Sequence, residues 1–123
     1  MSIRQQLMAK KEEIERFLIE FKQKISFWGL VLRSDRSNNF LTMAELELTT
    51  AKIKIILNEL TSLDYTQGPE KDTLYKMTDM WMFGKEIKNR EVYIKITFGL
   101  PGQEAVCISF HFSEHPLVYP FKT

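Results

Sequence analysis

A tyrosine, a lysine, a serine and a histidine share one parity of two alternating runs near the C-terminus, and residues of these types can cleave a phosphodiester. The runs are Val92-Tyr93-Ile94-Lys95-Ile96-Thr97-Phe98 and Val106-Cys107-Ile108-Ser109-Phe110-His111-Phe112. Cutting RNA without a metal requires three things: a proton taken from the ribose 2′-OH, a proton given to the leaving 5′-oxygen, and charge stabilised on the phosphate. Histidine titrates near neutral pH and serves as acid or base. A lysine such as Lys95 neutralises phosphate charge. Tyr93 can donate to a phosphate oxygen or stack on an unstacked base. The same four residues would also suit the solvated side of a half-buried sheet, with no chemistry at all.

Strand side chains alternate between faces, so the runs predict one apolar and one polar face. Val92, Ile94, Ile96, Phe98, Val106, Ile108, Phe110 and Phe112 form the apolar face. Tyr93, Lys95, Thr97, Cys107, Ser109 and His111 form the other. Gly99-Leu100-Pro101-Gly102-Gln103 reads as the turn of a hairpin between them. Pairing Phe98 with Glu104 sets Tyr93 opposite Ser109, and a register two residues different sets Tyr93 opposite His111.

The chain has 123 residues, of which 44% are apolar and 27% charged. That length suits one domain over residues 1–123. The formal net charge of +1 gives no support to nucleic-acid binding over the whole surface, so such binding needs a local basic patch. A single cysteine excludes an internal disulfide and a cysteine-rich zinc site, and Cys107 reads as a small structural filler. No apolar stretch approaches the ~18 residues of a membrane span. The N-terminal segment lacks the features of a signal or transit peptide, so the cytoplasm is the expected compartment.

The elements that must position the site read as α+β, with helices packed on an antiparallel meander. The N-terminal unit, residues 1–26, reads as an amphipathic helix from about Ser2, its N-cap, to Ile25. Its stripe is Ile3, Leu7, Ile14, Phe17, Leu18, Phe21 and Ile25. Ser26 to Arg33 reads as a strand and Arg33 to Asn39 as a polar loop. Ala44 to Leu48 suits a single helical turn. Thr49 or Thr50 caps a second helix to about Leu60, with Ile53, Ile56, Leu57 and Leu60 inward. Leu63 to Asp72 reads as an exposed loop, Met77 to Ile87 as a strand, and Lys88-Asn89 as a tight hairpin turn into the Arg90–Phe98 strand. The tail, residues 113–123, holds two prolines and predicts an edge or a strap over the sheet.

Cofactor and metal signatures are lacking: no phosphate-binding glycine loop, no Gly-x-Ser-x-Gly elbow and no His-Glu-x-x-His. His111 and His115 are four apart around Glu114, but transition-metal sites collect three or four ligands, so neither a metal nor a cofactor is expected. Arg33 and Arg36 flank Asp35 and suit a salt-bridged turn as well as a phosphate clamp. Lys85 shares the parity of Trp81 and Phe83, which sets it at the sheet rim.

Arg33 to Arg36, Ala44-Glu45-Leu46-Glu47-Leu48, a helix, Leu63-Asp64-Tyr65, a tryptophan, Tyr93 to Thr97 and Ile108-Ser109-Phe110 follow one another in an order that resembles the MqsR family of bacterial toxins. The resemblance covers roughly Arg33 to His111. It implies a RelE-like α+β fold and a metal-independent endoribonuclease that cuts single-stranded mRNA by 2′-OH attack, held inactive by an antitoxin protein. Tyr93 matches the tyrosine of the family's strand motif, which implies a role at the scissile phosphate or a flanking base. His111 stands where the family shows a lysine, Gln67 loosely where it shows another, and Met82 where it shows a glutamine. The N-terminal helix and the tail fall outside the resemblance and suit an antitoxin or self-association surface.

Two functions follow. In the first, His111 is general acid or base and Tyr93 and Lys95 act on the phosphate. Lys85, Arg33, Arg36, Ser109 and the Gln67–Lys71 loop then engage the RNA. In the second, the chain is a non-catalytic module that binds a protein through a sheet edge or the N-terminal helix. The near-neutral charge and the residues at Gln67 and Met82 favour the second.

Overall fold

The apolar stripe of the first helix is the face that meets the sheet. The computed structural model describes residues 8–33, 37–72 and 78–122. Within them α1 (Lys11–Trp28) buries Ile14, Phe17, Leu18, Phe21 and Ile25. Glu13 accepts from the Lys10 backbone N–H at 3.1 Å, satisfying one donor at the helix start. The helix therefore begins later than the expected Ser2; Ser2, Ile3 and Leu7 lie outside the described residues. It also runs past Ile25 and takes Ser26 to Trp28, the first part of the segment expected as strand. The stop is Gly29, whose φ of 87° suits glycine and whose N–H closes the last turn onto Ile25 O at 2.9 Å.

Only Leu30–Leu32 then pairs as β1. Next come α2 (Ser37–Leu46), α3 (Thr50–Asn58), a short 3-10 turn (Ser62–Asp64), β2 (Tyr65–Glu70), β3 (Met80–Ile87), β4 (Arg90–Thr97) and β5 (Ala105–Phe112). Thr49 caps α3 by accepting from Lys52 N at 3.2 Å, and Ile53 and Leu57 are its buried residues. Lys88 and Asn89 both have positive φ, 51° and 67°, as the expected two-residue hairpin turn requires.

The architecture is α+β, but the sheet is mixed. Its order is β1-β5-β4-β3-β2, with β1 parallel to β5 and the other neighbours antiparallel. Helices and three strands separate β1 from β5 along the chain, so the long connection that parallel pairing needs is present. Of the expected polar loop, Ser37 to Asn39 are instead the first turn of α2, which runs on through Ala44 to Leu46 of the expected single turn; residues 34–36 lie outside the described residues. The expected exposed loop after Leu63 is β2, an edge strand whose Gly68 and Pro69 suit an edge and whose Tyr65 is fully buried.

α1 and α3 cover one face of the sheet. Phe17 stacks on Trp81 with ring centres 4.6 Å apart, and Phe21, Phe83, Ile94, Ile96 and Phe110 complete the layer. Each such side chain contributes ~1.5–3 kcal/mol on burial. Cys107 and Ala105 belong to this core while Val106 and Ile108 do not, the reverse of the expected parity. The reason is a bulge. Lys95 pairs with Ser109 but Ile96 with Cys107, so Ile108 is an extra residue and the faces of β5 exchange there.

β5 has a neighbour on its outer side only along Ala105–Cys107. Beyond it, α2 supplies side chains in place of a strand. Asn39 donates to Ile108 O at 3.1 Å and accepts from Phe110 N at 2.9 Å; Thr42 accepts from Phe112 N at 3.3 Å. Both are buried.

Candidate active site

The site is built on two rows that cross the sheet on the face opposite the core. Directly paired residues point to the same side. One row is Gly84, Tyr93 and His111; the next is Gln67, Met82, Lys95 and Ser109. Of the two registers open to the hairpin, the structure has Tyr93 opposite His111. Their rings stack at 5.3 Å between centres and 29° between planes, and the Lys95 ammonium lies 6.0 Å from the Tyr93 ring centre.

His111 is half-buried, and its Nδ1 lies 3.0 Å from the carbonyl oxygen of Phe112. A carbonyl only accepts, so Nδ1 carries the hydrogen of this bond and Nε2 of the neutral ring holds a lone pair. In that tautomer Nε2 is the atom that can act as a general base.

The tail crosses this face beside Tyr93 because Gly84 leaves room for it. A methyl at Gly84 would lie 2.6 Å from Leu117 Cδ1 and would also meet the Tyr119 hydroxyl. Glu91 holds the strap. Its Oε1 accepts from Ser113 Oγ at 3.1 Å and Leu117 N at 2.9 Å, and its Oε2 from the Tyr119 hydroxyl at 2.7 Å. Burial alone would raise the Glu91 carboxyl, but those hydrogen bonds and the Lys122 charge outweigh it and hold it below the usual carboxylate range. Burial, then the bond and charge of Glu91, push the Tyr119 phenol up, so it remains a donor. The prolines thus mark a strap over the sheet, one of the two placements the sequence predicts.

Strap and sheet enclose an open cavity of about 470 Å³. Tyr93, His111 and Gln67 line it, together with Thr66 and with Glu114 and His115 from the strap. Three of the expected residues are therefore brought together. Lys95 stands one row away, and Ser109 opposite it is buried and outside the cavity lining.

The remaining expected residues lie elsewhere. Lys85 falls on the core-face parity and pairs with Asp64 at 3.4 Å, so it does not join Tyr93. Lys71 is exposed just beyond β2 and is not among the lining residues. Gln67 sits on β2 rather than in a loop, with its amide donating to Glu70 at 3.2 Å. Arg33 follows β1, on the far side of β5, where its N–H donates to Cys107 O at 3.1 Å. Arg36 lies outside the described residues. Cys107 is fully buried and its thiol is pushed up to about 12 by desolvation, which makes it a filler and not a nucleophile.

Sequence reasoning missed Gly84, Glu91 and the strap's share of the cavity. A glycine inside a strand signals a close approach, and Gly84 carried that signal. A second cavity of about 470 Å³ opens near Trp81, but Glu13, Glu20 and Asp79 outweigh Arg16 at its walls and make it a poor seat for a phosphate. Among the described residues no group of three or more histidine, cysteine, aspartate or glutamate side chains is placed to hold a metal ion, and no helix is long and apolar enough to cross a membrane. No family model, no curated protein and no solved structure matches the chain.

Proposed function

We propose that the protein is a toxin of the MqsR kind, a RelE-like mRNA interferase acting in the cytoplasm. It cuts single-stranded mRNA by attack of the 2′-OH, without a metal or cofactor, and a cognate antitoxin protein holds it inactive. The observation that supports this reading is the stacked Tyr93–His111 pair in the cavity floor, with Lys95 one row away. His111 takes the 2′ proton through Nε2, the Lys95 ammonium favours the phosphate charge, and Tyr93 donates to the phosphate or stacks on a base. Purified protein should cut single-stranded RNA in excess EDTA and leave 2′,3′-cyclic phosphate ends, and its induction alone should arrest growth.

A second reading, a non-catalytic protein-binding module, is favoured by one feature. Phe27 and Trp28 are 86% and 54% exposed beside the short edge strand β1, as an apolar docking surface would be. Folded protein that neither cuts RNA nor slows growth would establish that reading over the first.

A further inference from the structure

Histidines line the cavity from two elements, His111 from β5 and His115 from the strap, and the reading above uses only the first. We propose that His115 is a second catalytic residue of the same site, the general acid that protonates the leaving O5′, and that Glu91 positions it. This inference rests on the ribonuclease reading and names the group that reading lacks.

The need follows from the state of His111. Its hydrogen is committed to the Phe112 carbonyl, so its free nitrogen can take the 2′ proton but has none to give at the same moment. In an in-line displacement the attacking and departing oxygens lie on opposite sides of phosphorus. The acid must therefore stand on another wall than the base, and His115 is the remaining imidazole of the chain.

The strap is built to hold that residue. One carboxylate oxygen, Glu91 Oε1, accepts from Ser113 Oγ and from Leu117 N. These lie two residues before and two after His115, so a single acceptor pins both ends of the loop that presents it. Pro116 fixes one of the loop's backbone angles. Ser113 N also donates to Glu91 O at 3.0 Å, which ties the loop's base to β4 beside Tyr93.

The 2′-oxygen forms a bond to phosphorus as its proton passes to His111 Nε2. The P–O5′ bond breaks and its electron pair stays on O5′, which takes the proton of the His115 imidazolium. The products are a 2′,3′-cyclic phosphate and a 5′-hydroxyl, and proton exchange with water restores both rings.

An altered leaving group tests the assignment. The oligoribonucleotide that the parent cuts is remade with sulfur in place of O5′ at the cut, since a thiolate departs without protonation. His115→Ala should slow cleavage of the oxygen substrate by about 10²–10⁴-fold and leave the sulfur substrate near the parent rate, while His111→Ala slows both. Glu91→Ala should follow His115→Ala, with the same rescue by sulfur, and the double variant should be no slower than His115→Ala alone. His115 is exposed, so its replacement leaves the core intact. Parent-like cutting of the oxygen substrate by His115→Ala, or an equal loss on both substrates, would overturn this assignment and leave the ribonuclease reading standing. A parent that cuts neither substrate would overturn both.

Discussion

The Tyr119 hydroxyl donates to Glu91 Oε2 at 2.7 Å, and that bond ties the strap to the strand that carries Tyr93. The carboxylate form of Glu91 is the acceptor for all three side-chain and backbone donors, which is why its pKa is held low. A carboxyl lowered on folding stabilises above its unfolded value, and that stabilisation is lost as pH falls through the folded value. The strap should accordingly loosen in acid. Protection of the Leu117 amide, taken by NMR as the ratio of intrinsic to observed exchange rate at each pH, should fall as pH drops below the usual carboxylate range. Glu91→Gln should show weakened protection at all pH values with the acid-dependent part gone.

Gly84 and Tyr93 are cross-strand partners, so whatever fills the space over Gly84 sets one wall of the cavity. Gly84→Ala puts a methyl into Leu117 and the Tyr119 hydroxyl, and β3 has partners on both sides and little freedom to retreat. Either the strap lifts or the sheet bends, at a cost of ~1–3 kcal/mol typical of overpacking. Urea unfolding should report that loss, and the Leu117 amide should lose protection. Unchanged stability and protection would show that the strap does not lie over Gly84.

Asn39 makes a prediction for stability alone. It serves Ile108 O and Phe110 N with one amide, at a point where β1 no longer covers β5. Asn39→Ala leaves both backbone groups buried without that partner, at ~1–3 kcal/mol each, so a loss of roughly 2–6 kcal/mol in urea unfolding is expected. Asn39→Asp keeps the acceptor for Phe110 N but sets a carboxylate against the Ile108 carbonyl, and should recover little.

These three contacts also show where sequence reading reaches its limit. The shared face of Tyr93, Lys95, Ser109 and His111 was legible because strand periodicity is strict and each run stays in phase over those positions. The bulge at Ile108 was not, since Cys107 and Ser109 suit either face by composition and only the pairing register exposes the slip. α2 was hidden by its first turn: Ser37, Asn38 and Asn39 are poor helix formers, and Asn39 is there to complete β5. β2 was hidden by Gly68 and Pro69, residues that mark loops and edge strands alike. Lys85 shares the core-face parity of Phe83, and its pairing with Asp64 follows from that placement, which keeps it away from Tyr93 and His111. The prolines of the tail excluded a central strand but carried no information on which face the tail would cross.

The stacked Tyr93–His111 pair carries the proposed chemistry, and its two rings can be removed separately. His111→Ala removes a half-buried ring on the face opposite the core together with its stacking on Tyr93, so it should cost about 1 kcal/mol and leave the protein folded. Cleavage should fall by about 10²–10⁴-fold if His111 transfers a proton. Tyr93 separates two contributions. Tyr93→Phe keeps the ring that stacks on His111 and removes only the hydroxyl, whereas Tyr93→Ala removes the platform as well. If the ring seats a base, the alanine variant should be the slower, with the extra loss in KM and about 1–3 kcal/mol in size, the range of base–aromatic stacking. If the hydroxyl alone acts, on the phosphate, the two variants should fall together and in kcat. Single-turnover cleavage of one oligoribonucleotide by the parent and the three variants, each checked for fold by circular dichroism, decides between these. A folded His111→Ala protein that cuts as fast as the parent would remove His111 from the mechanism.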